Sequence, residues 1–411
     1  MLIWEDGMPM PRQRLAEHRD LTRRYFFALG PAGAAAWSAL PLAAADRRLR
    51  DAVAGLEYLT PVERAYILDK GKAGVAKLAP EALGPAGLLP ETWSLEVVAD
   101  PESNSSVERP LSKALGNALD WKGLMRLAET AAVSYLHVGV CTNGADPFHM
   151  GLWEGVPLAK VVWLAGPKAN IRRVWYESYH PENLPPFRAS LALSQILETA
   201  PGQLPILLAY KWNGRPIPPA KGGPVRVIVP GTYASKSIKW VQRMVLTNNY
   251  RANDSDAADF NNDTESPLKT RARFLNAPAE AAAKEPLALT GMAQVGISGL
   301  AKVQYAVHPE NDPRLADDPD RARAEWKDAE ILPPPKLPAG CLQTDAAGRP
   351  REWPLRFTIV HWAALAPGLP AGRYELCCRT IDRNGIAQPM PRPLLRTGVT
   401  AIHRVPLLVK G

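Results

Sequence analysis

Along this chain, apolar and polar residues alternate in short runs punctuated by Pro, Gly and Asn, a pattern of brief strands and turns more than of long helices. "TWSLEVVAD" (92–100) alternates strictly and predicts a strand. "LDWKGLMRLAETAAV" (119–133) places its apolar residues at helical spacing and predicts a helix packed on a sheet. Tyr135 to Val140 read as a strand that stops at Cys141. Asn143, Gly144, Asp146 and Pro147 then force a turn, and Trp153-Glu154-Gly155-Val156 opens the next element. "KVVWLAG", "IRRVWYESYH" and "LPILLAYKWNG" follow as strand-like runs. "GGPVRVIVPGTYASKSIKWVQRMVLTN" (222–248) reads as two strands joined by a Gly-Thr-Tyr-Ala-Ser turn. With the loop-rich stretch from Thr60 to Pro90, these make a mixed α+β unit ending near Phe274. "NAPAEAAAKEP" (276–286) is a small-residue linker. Beyond it, short alternating strands in "LALTGMAQVGISGLAKVQYAVHP", "WPLRFTIVHWAAL" and "AGRYELCCRTIDRNGIAQP" predict an all-β, immunoglobulin-like sandwich.

Composition changes this picture little. A chain of 411 residues suffices for two domains with sizeable cores, and its 41 prolines and 12 tryptophans agree with many short strands. The net charge of +8 favours an anionic substrate or an acidic partner. The basic residues are scattered, with no stripe of interleaved aromatics, which argues against nucleic-acid binding.

The first 45 residues read as an address. Thr22-Arg23-Arg24-Tyr25-Phe26-Phe27, a mildly apolar stretch and Ala43-Ala44-Ala45 form the pattern of a twin-arginine export signal. An amphipathic helix or an uncleaved anchor is the alternative, but Gly30, Pro31, Gly33 and Pro41 break the apolar stretch. No other run approaches the roughly 20 apolar residues of a membrane helix. The expectation is a periplasmic protein with no membrane span in the mature chain, folded around a cofactor before export.

The candidate chemistry lies in a few residues. Of the cysteines, adjacent Cys377 and Cys378 on one strand would face opposite ways and not pair with each other. A bridge from Cys341 to one of them stays open, leaving Cys141 free. The absence of C-x-x-C and C-x-x-C-H excludes a simple zinc ribbon and a covalently attached c-type haem. On spacing alone, Cys141 reads equally well as a metal ligand at a strand mouth and as a buried free thiol. Arg226 and Lys239 each interrupt an apolar strand, which is costly unless the charge has a partner; an outward-facing strand position is the alternative. His180, after a strand, reads as a polar contact or a solvated loop residue. His149 reads as a substrate or proton-transfer residue or a surface loop histidine, and a metal site of His137, His149, Cys141 and Asp146 is conceivable.

Four stretches carry a resemblance to the sulfite oxidase family of molybdenum enzymes. Cys141 with downstream Trp153-Glu154-Gly155-Val156-Pro157-Leu158 is like the family's cysteine and W-x-G-V-x-L. "AYKWNGRPIP" (209–218) is like A-Y-x-x-N-G-x-P-L-P, and "GGPVRVIVPGTYASKSIKW" is like G-x-P-V-R-x-x-V-P-G followed by K-W. "GMAQVGISGLAKVQYAV" and "RTIDRNGIAQP" resemble the family's C-terminal dimerisation domain. The resemblance implies an α+β fold class: a mixed α/β sulfite-oxidase-type molybdopterin-binding domain over residues 46–275 and an immunoglobulin-like dimerisation domain over 286–411, after the signal of residues 1–45. It implies Mo-molybdopterin with Cys141 as the protein's thiolate ligand and catalytic centre. Arg226, Ser237, Ile238, Lys239 and, more weakly matched, His180 would contact the cofactor and its phosphate.

The activity implied is two-electron oxo transfer on a small anionic or oxo-accepting substrate. Electrons would pass to an external carrier such as a cytochrome c, and the protein would be a homodimer. The match departs from the family at the substrate end. No arginine follows Cys141 in "CTNGADPFHM", and no R-N-H occurs, with Lys70 and Lys72 nearest in place. Lys221 or Gly222 stands where the family has a histidine, and Phe260 near where it has a tyrosine. A dianion such as sulfite is poorly held without guanidinium forks. The molybdenum reading is therefore stronger than the sulfite reading. Reduction of sulfoxide-type substrates at the same site, or a non-catalytic exported module keeping the fold, are the alternatives.

Overall fold

The computed structural model describes residues 44–65, 75, 78–141, 149–252, 254–255, 265, 267–389 and 398–411. The export signal up to residue 43, the turn after Cys141, Asp146, Lys70, Lys72 and Phe260 lie outside the described residues.

Four α-helices are present among the described residues: α1 (Ala44–Ala54), α2 (Trp121–Ala131), α3 (Leu158–Leu164) and α4 (Leu193–Leu197). The strands up to Thr247 are β1 (Ser94–Ala99), β2 (Leu119–Asp120), β3 (Val133–Gly139), β4 (His149–Pro157), β5 (Arg173–Ser178), β6 (Arg188–Ala192), β7 (Leu207–Trp212), β8 (Arg215–Pro216), β9 (Arg226–Ile228) and β10 (Val241–Thr247). They form two sheets, β2-β1-β10-β5-β6 and β3-β4-β7-β8, with β9 pairing β7. The β1–β10 pair is parallel. The two sheets and their helices enclose one core containing Leu95, Leu124, Val161, Tyr176, Leu208 and Met244. Helix α2 begins where Asp120 accepts the Gly123 N–H at 2.7 Å, satisfying a donor the helix itself cannot.

Two expectations need correction. "KVVWLAG" is helical, not a strand, because Leu158, Val161, Val162 and Ala165 are buried at helical spacing while Lys160 and Trp163 face out. A short apolar run does not reveal its period until the surface it packs against is known. The two strands of 222–248 are also not partners. β9 joins β7, whereas β10 crosses to the other sheet between β1 and β5. Lys239 lies in the irregular stretch between them and not on a strand.

The remaining strands are β11 (Arg271–Asn276), β12 (Glu280–Ala282), β13 (Leu287–Gln294), β14 (Lys302–Pro309), β15 (Lys327–Ile331), β16 (Ile359–Ala366), β17 (Gly372–Ile381) and β18 (His403–Lys410). This region is all-β. Strand β15 pairs both β14 and β16, so the arcs β11-β13-β16-β15 and β14-β17-β18-β12 share it. Phe274 and Trp362 from one arc meet Val303, Leu376 and Leu407 from the other in a single core. The stretch read as a linker contributes β12, paired with β18. The chain joins this region at Arg271, before the linker begins.

All four cysteines are free thiols, so the bridge left open for Cys341 is not formed. Cys378 points into the core of this all-β region and Cys377 packs with Ala306 and Ile402 on the opposite face, as strand alternation requires. Cys341 sits elsewhere, among Leu136, Val138 and Phe357.

That last cluster joins the two regions. Strand β3 is the edge of its sheet, and an exposed edge leaves a row of unpaired backbone groups. C-terminal residues satisfy it. The Leu342 N–H donates to Ser134 O at 2.9 Å, and Val138 N–H donates to Phe357 O at 2.8 Å. The Gln343 side chain accepts from Leu136 N at 2.7 Å and donates to Leu136 O at 3.0 Å.

Candidate functional site

Strand β3 delivers Cys141, half-buried, two residues beyond its last paired position. The residue before it fixes its neighbourhood, since Val140 O accepts the Ala234 N–H at 2.9 Å. Ala234 belongs to the 231–240 loop, which carries Ser237, Ile238 and Lys239. That loop lies along the segment holding Arg226. The Trp240 N–H donates to Gly222 O at 2.9 Å, the Val227 N–H to Ile238 O at 2.9 Å, and the Val229 N–H to Ser237 Oγ at 3.0 Å. Residues separated by almost a hundred positions are thereby brought together at one place.

Arg226 is only 3% exposed and is the centre of this place. Its guanidinium lies 5.0 Å from the Trp153 ring centre and 5.9 Å from that of Trp212, two indoles stacked at 4.6 Å. Arg226 Nη1 donates to Lys221 O at 3.1 Å, and burial pushes its pKa down to about 9. Gly222 permits this crowding. A Cβ there would lie 2.7 Å from Lys239 Cγ and 3.0 Å from Arg226 Cδ. Lys239 Nζ sits 4.9 Å over the Trp240 ring, and Lys221 Nζ donates to Ala65 O at 2.7 Å.

Two buried histidines adjoin the arginine. His149 is on β4, not in a surface loop, with its ring 5.1 Å from Trp212. It occupies the space over Gly139, where a Cβ would come within 2.0 Å of its Nε2. Burial first, then the charges of Arg226, Lys239 and Lys221 and the neighbouring His137, hold His149 down at about 3. Burial and Arg226 bring His137 to about 3 as well. Both imidazoles are therefore neutral at physiological pH, and the cluster is cationic through its arginine and lysines alone.

Sequence reasoning found Arg226 but missed what packs on it. Trp153 and Trp212 stand inside the quoted motifs, yet only strand pairing brings them face to face. Lys236 was also missed. Fully buried, it forms an ion pair with Asp254 and donates to Ser190 O at 2.8 Å, while the Tyr176 hydroxyl donates to Lys236 O at 2.7 Å. This anchors the 231–240 loop to the β5–β6 edge. His180 adjoins the same loop through its neighbour. It follows Tyr179, whose N–H donates to Trp240 O at 2.7 Å, and its Nδ1 is 3.4 Å from Ser178 O.

The cluster suits an anionic, heteroatom-rich group. Arg226 Nε, His137 Nε2 and Trp212 Nε1 are buried without a hydrogen-bond partner among the described residues, a costly state that a polar ligand would relieve. Among the described residues, no carboxylate is named with the groups that influence Arg226, His137 or His149.

Comparison with known proteins agrees with this chemistry. Residues 87–254 match the family model described as oxidoreductase molybdopterin binding domain. Nitrate reductase [NADPH] of Fusarium oxysporum is 34% identical over 98 residues, covering 23% of this chain and 10% of that protein. Nitrate reductase [NADH] 1 of Arabidopsis thaliana is 26% identical over 200 residues, covering 46% and 20%. The chain thus spans a tenth to a fifth of these relatives' length. The crystal structure of the sulfane dehydrogenase SoxCD from Paracoccus pantotrophus shares the fold, with a TM-score of 0.55 over 79% of each chain at 16% identity. Residues 87–254 thus carry an oxidoreductase molybdopterin-binding domain, and the comparisons support a molybdopterin oxidoreductase of the sulfite oxidase type, with Mo-molybdopterin as its cofactor.

Proposed function

We propose that the chain is a periplasmic oxidoreductase that carries out two-electron oxo transfer on a small anionic or oxo-accepting substrate and passes electrons to a separate carrier such as a c-type cytochrome. The observation that carries this reading is the convergence of Cys141 with the cationic cluster of Arg226, Lys239 and Lys221, through the Val140–Ala234 hydrogen bond. When bound, Mo-molybdopterin supplies the oxo-transfer chemistry.

The protein's share is positional and electrostatic. Cys141 offers a soft thiolate suited to the metal. Arg226, with the lysines, would neutralise the cofactor's phosphate, and the Ser237–Lys239 backbone and hydroxyl would help to hold it. Neutral His137 and His149 can donate or accept a hydrogen bond without adding charge. The missing arginines after Cys141 favour a substrate other than sulfite. The nitrate reductase relatives keep the reducing direction in view as a second reading. An immunoglobulin-like C-terminal sandwich serving homodimerisation completes the proposal.

The test is elemental analysis of the mature protein, exported from a molybdopterin-competent bacterium, beside Cys141→Ser. Near-stoichiometric molybdenum in the wild type, with metal lost or its absorption altered in the variant, is expected. A well-folded wild type without molybdenum would sink the enzyme reading and leave a fold kept for binding.

A further inference from the structure

The C-terminal sandwich holds a second cluster, unrelated to molybdopterin. On β17, alternation puts Glu375 and Cys377 on one face, and His308 of β14 stands directly opposite Glu375. His308 Nε2 lies 3.3 Å from Glu375 Oε1 and 3.6 Å from Cys377 Sγ, and Cys377 Sγ lies 3.4 Å from Glu375 Oε1. Zinc bonds of about 2.0–2.2 Å to nitrogen or oxygen and about 2.3 Å to sulfur make tetrahedral edges of roughly 3.3–3.6 Å between ligand atoms. The three separations match three such edges.

Two features outside the triad point the same way. His308 Nδ1 is 3.0 Å from Pro309 O. A proton on Nδ1 bonded to that carbonyl leaves the Nε2 lone pair facing the thiol and carboxylate, the arrangement that orients a metal-binding imidazole. Arg321 Nε donates to Glu375 Oε1 at 2.9 Å, fixing the carboxylate as outer partners of metal ligands do. Cys377 and His308 are buried, while Glu375 is partly exposed, which leaves an approach from solvent. The cations nearby are tied to the 315–319 loop: Arg321 also donates to Leu315 O and Asp318 O, and Arg404 donates to Pro319 O.

We propose that His308, Glu375 and Cys377 form a zinc(II) site with its fourth position open to water or an external ligand. Uptake converts the Cys377 thiol to a thiolate and releases its proton to solvent, so the bound ion, one thiolate and one carboxylate are together neutral.

The test uses the full-length protein with Co²⁺ as a spectroscopic substitute for Zn²⁺. A thiolate-to-cobalt charge-transfer band is expected in the wild type, displaced by Zn²⁺, absent in Cys377→Ser and retained in Cys141→Ser. His308→Gln is expected to weaken Co²⁺ binding about tenfold or more. That second variant decides the matter if circular dichroism shows Cys377→Ser misfolded. No band in the wild type, unchanged affinity in His308→Gln, or a band that vanishes only in Cys141→Ser would each overturn the site.

Discussion

Two clusters in this molecule are built from overlapping side-chain types and have opposite charge logic. At the end of β3, a cysteine and two histidines sit with Arg226, Lys221 and Lys239, and among the described residues no carboxylate is named as acting on the arginine or the histidines. On the face of β14 and β17, a cysteine and a histidine sit with a carboxylate, and the nearby arginines are engaged by that carboxylate and by backbone. The first arrangement repels a free cation and welcomes an anion. The second can neutralise a dication. Neighbouring charge, more than the thiol or imidazole itself, decides what each site can hold.

The largest effect that would break this contrast is expected from Arg226→Met. Removing a buried charge with an unpartnered Nε should leave the cofactor-free protein as stable or more stable, while cofactor retention falls tenfold or more, about 1.4 kcal/mol at least. Molybdenum content and a urea transition measured on the same samples separate the two. Loss of stability without loss of molybdenum would mean that the arginine is structural.

Lys236→Met should act in the opposite sense. It leaves Asp254 buried without its cation, and breaking such a pair costs about 3–5 kcal/mol. Urea unfolding should show this in the cofactor-free protein too, because the ion pair anchors the loop irrespective of ligand. An unchanged midpoint would contradict the anchoring role.

The histidines give a pH signature. Above about pH 6.5 both folded and unfolded chains keep His149 neutral, and it has no effect on the pH slope. As pH falls from 6.5 toward 3, the unfolded chain takes a proton that the buried ring refuses, so stability falls by about 1.4 kcal/mol per pH unit for this group. His149→Gln should flatten the stability profile between pH 6 and 4 by about that slope. An identical profile would place the ring in water.

Much of this was legible in the sequence, for identifiable reasons. Cys141 at the end of an apolar run, and Arg226 inside "GGPVR", each interrupt a strand pattern, but pattern alone left both with an ordinary reading and the family resemblance singled them out. Strands β1, β3, β5 and β7 and helix α2 follow from periodicity alone. What periodicity cannot supply is partnership. It does not tell that β9 and β10 go to different sheets, that Trp153 and Trp212 stack, or that Lys236, one residue from the quoted Ser237, runs inward to Asp254. Nor does it place His308 opposite Glu375, since that register depends on strands some seventy residues apart.

The finest test of the contrast concerns how the two regions communicate. The Gln343 side chain satisfies both backbone groups of Leu136, on the strand that presents Cys141. Gln343→Ala leaves that N–H and C=O buried and unpaired, which should cost about 1–3 kcal/mol. If the C-terminal region merely adds stability, the Leu136 amide should lose hydrogen-exchange protection in step with global unfolding, and molybdenum content should be unchanged. If it positions the thiolate, protection at Leu136 and Val138 should fall locally, by more than the global change, and molybdenum should be lost on dilution. The second outcome is expected, because an edge strand bounded on one side by β4 depends on these bonds to hold its end, and hence Cys141, in register with Ala234.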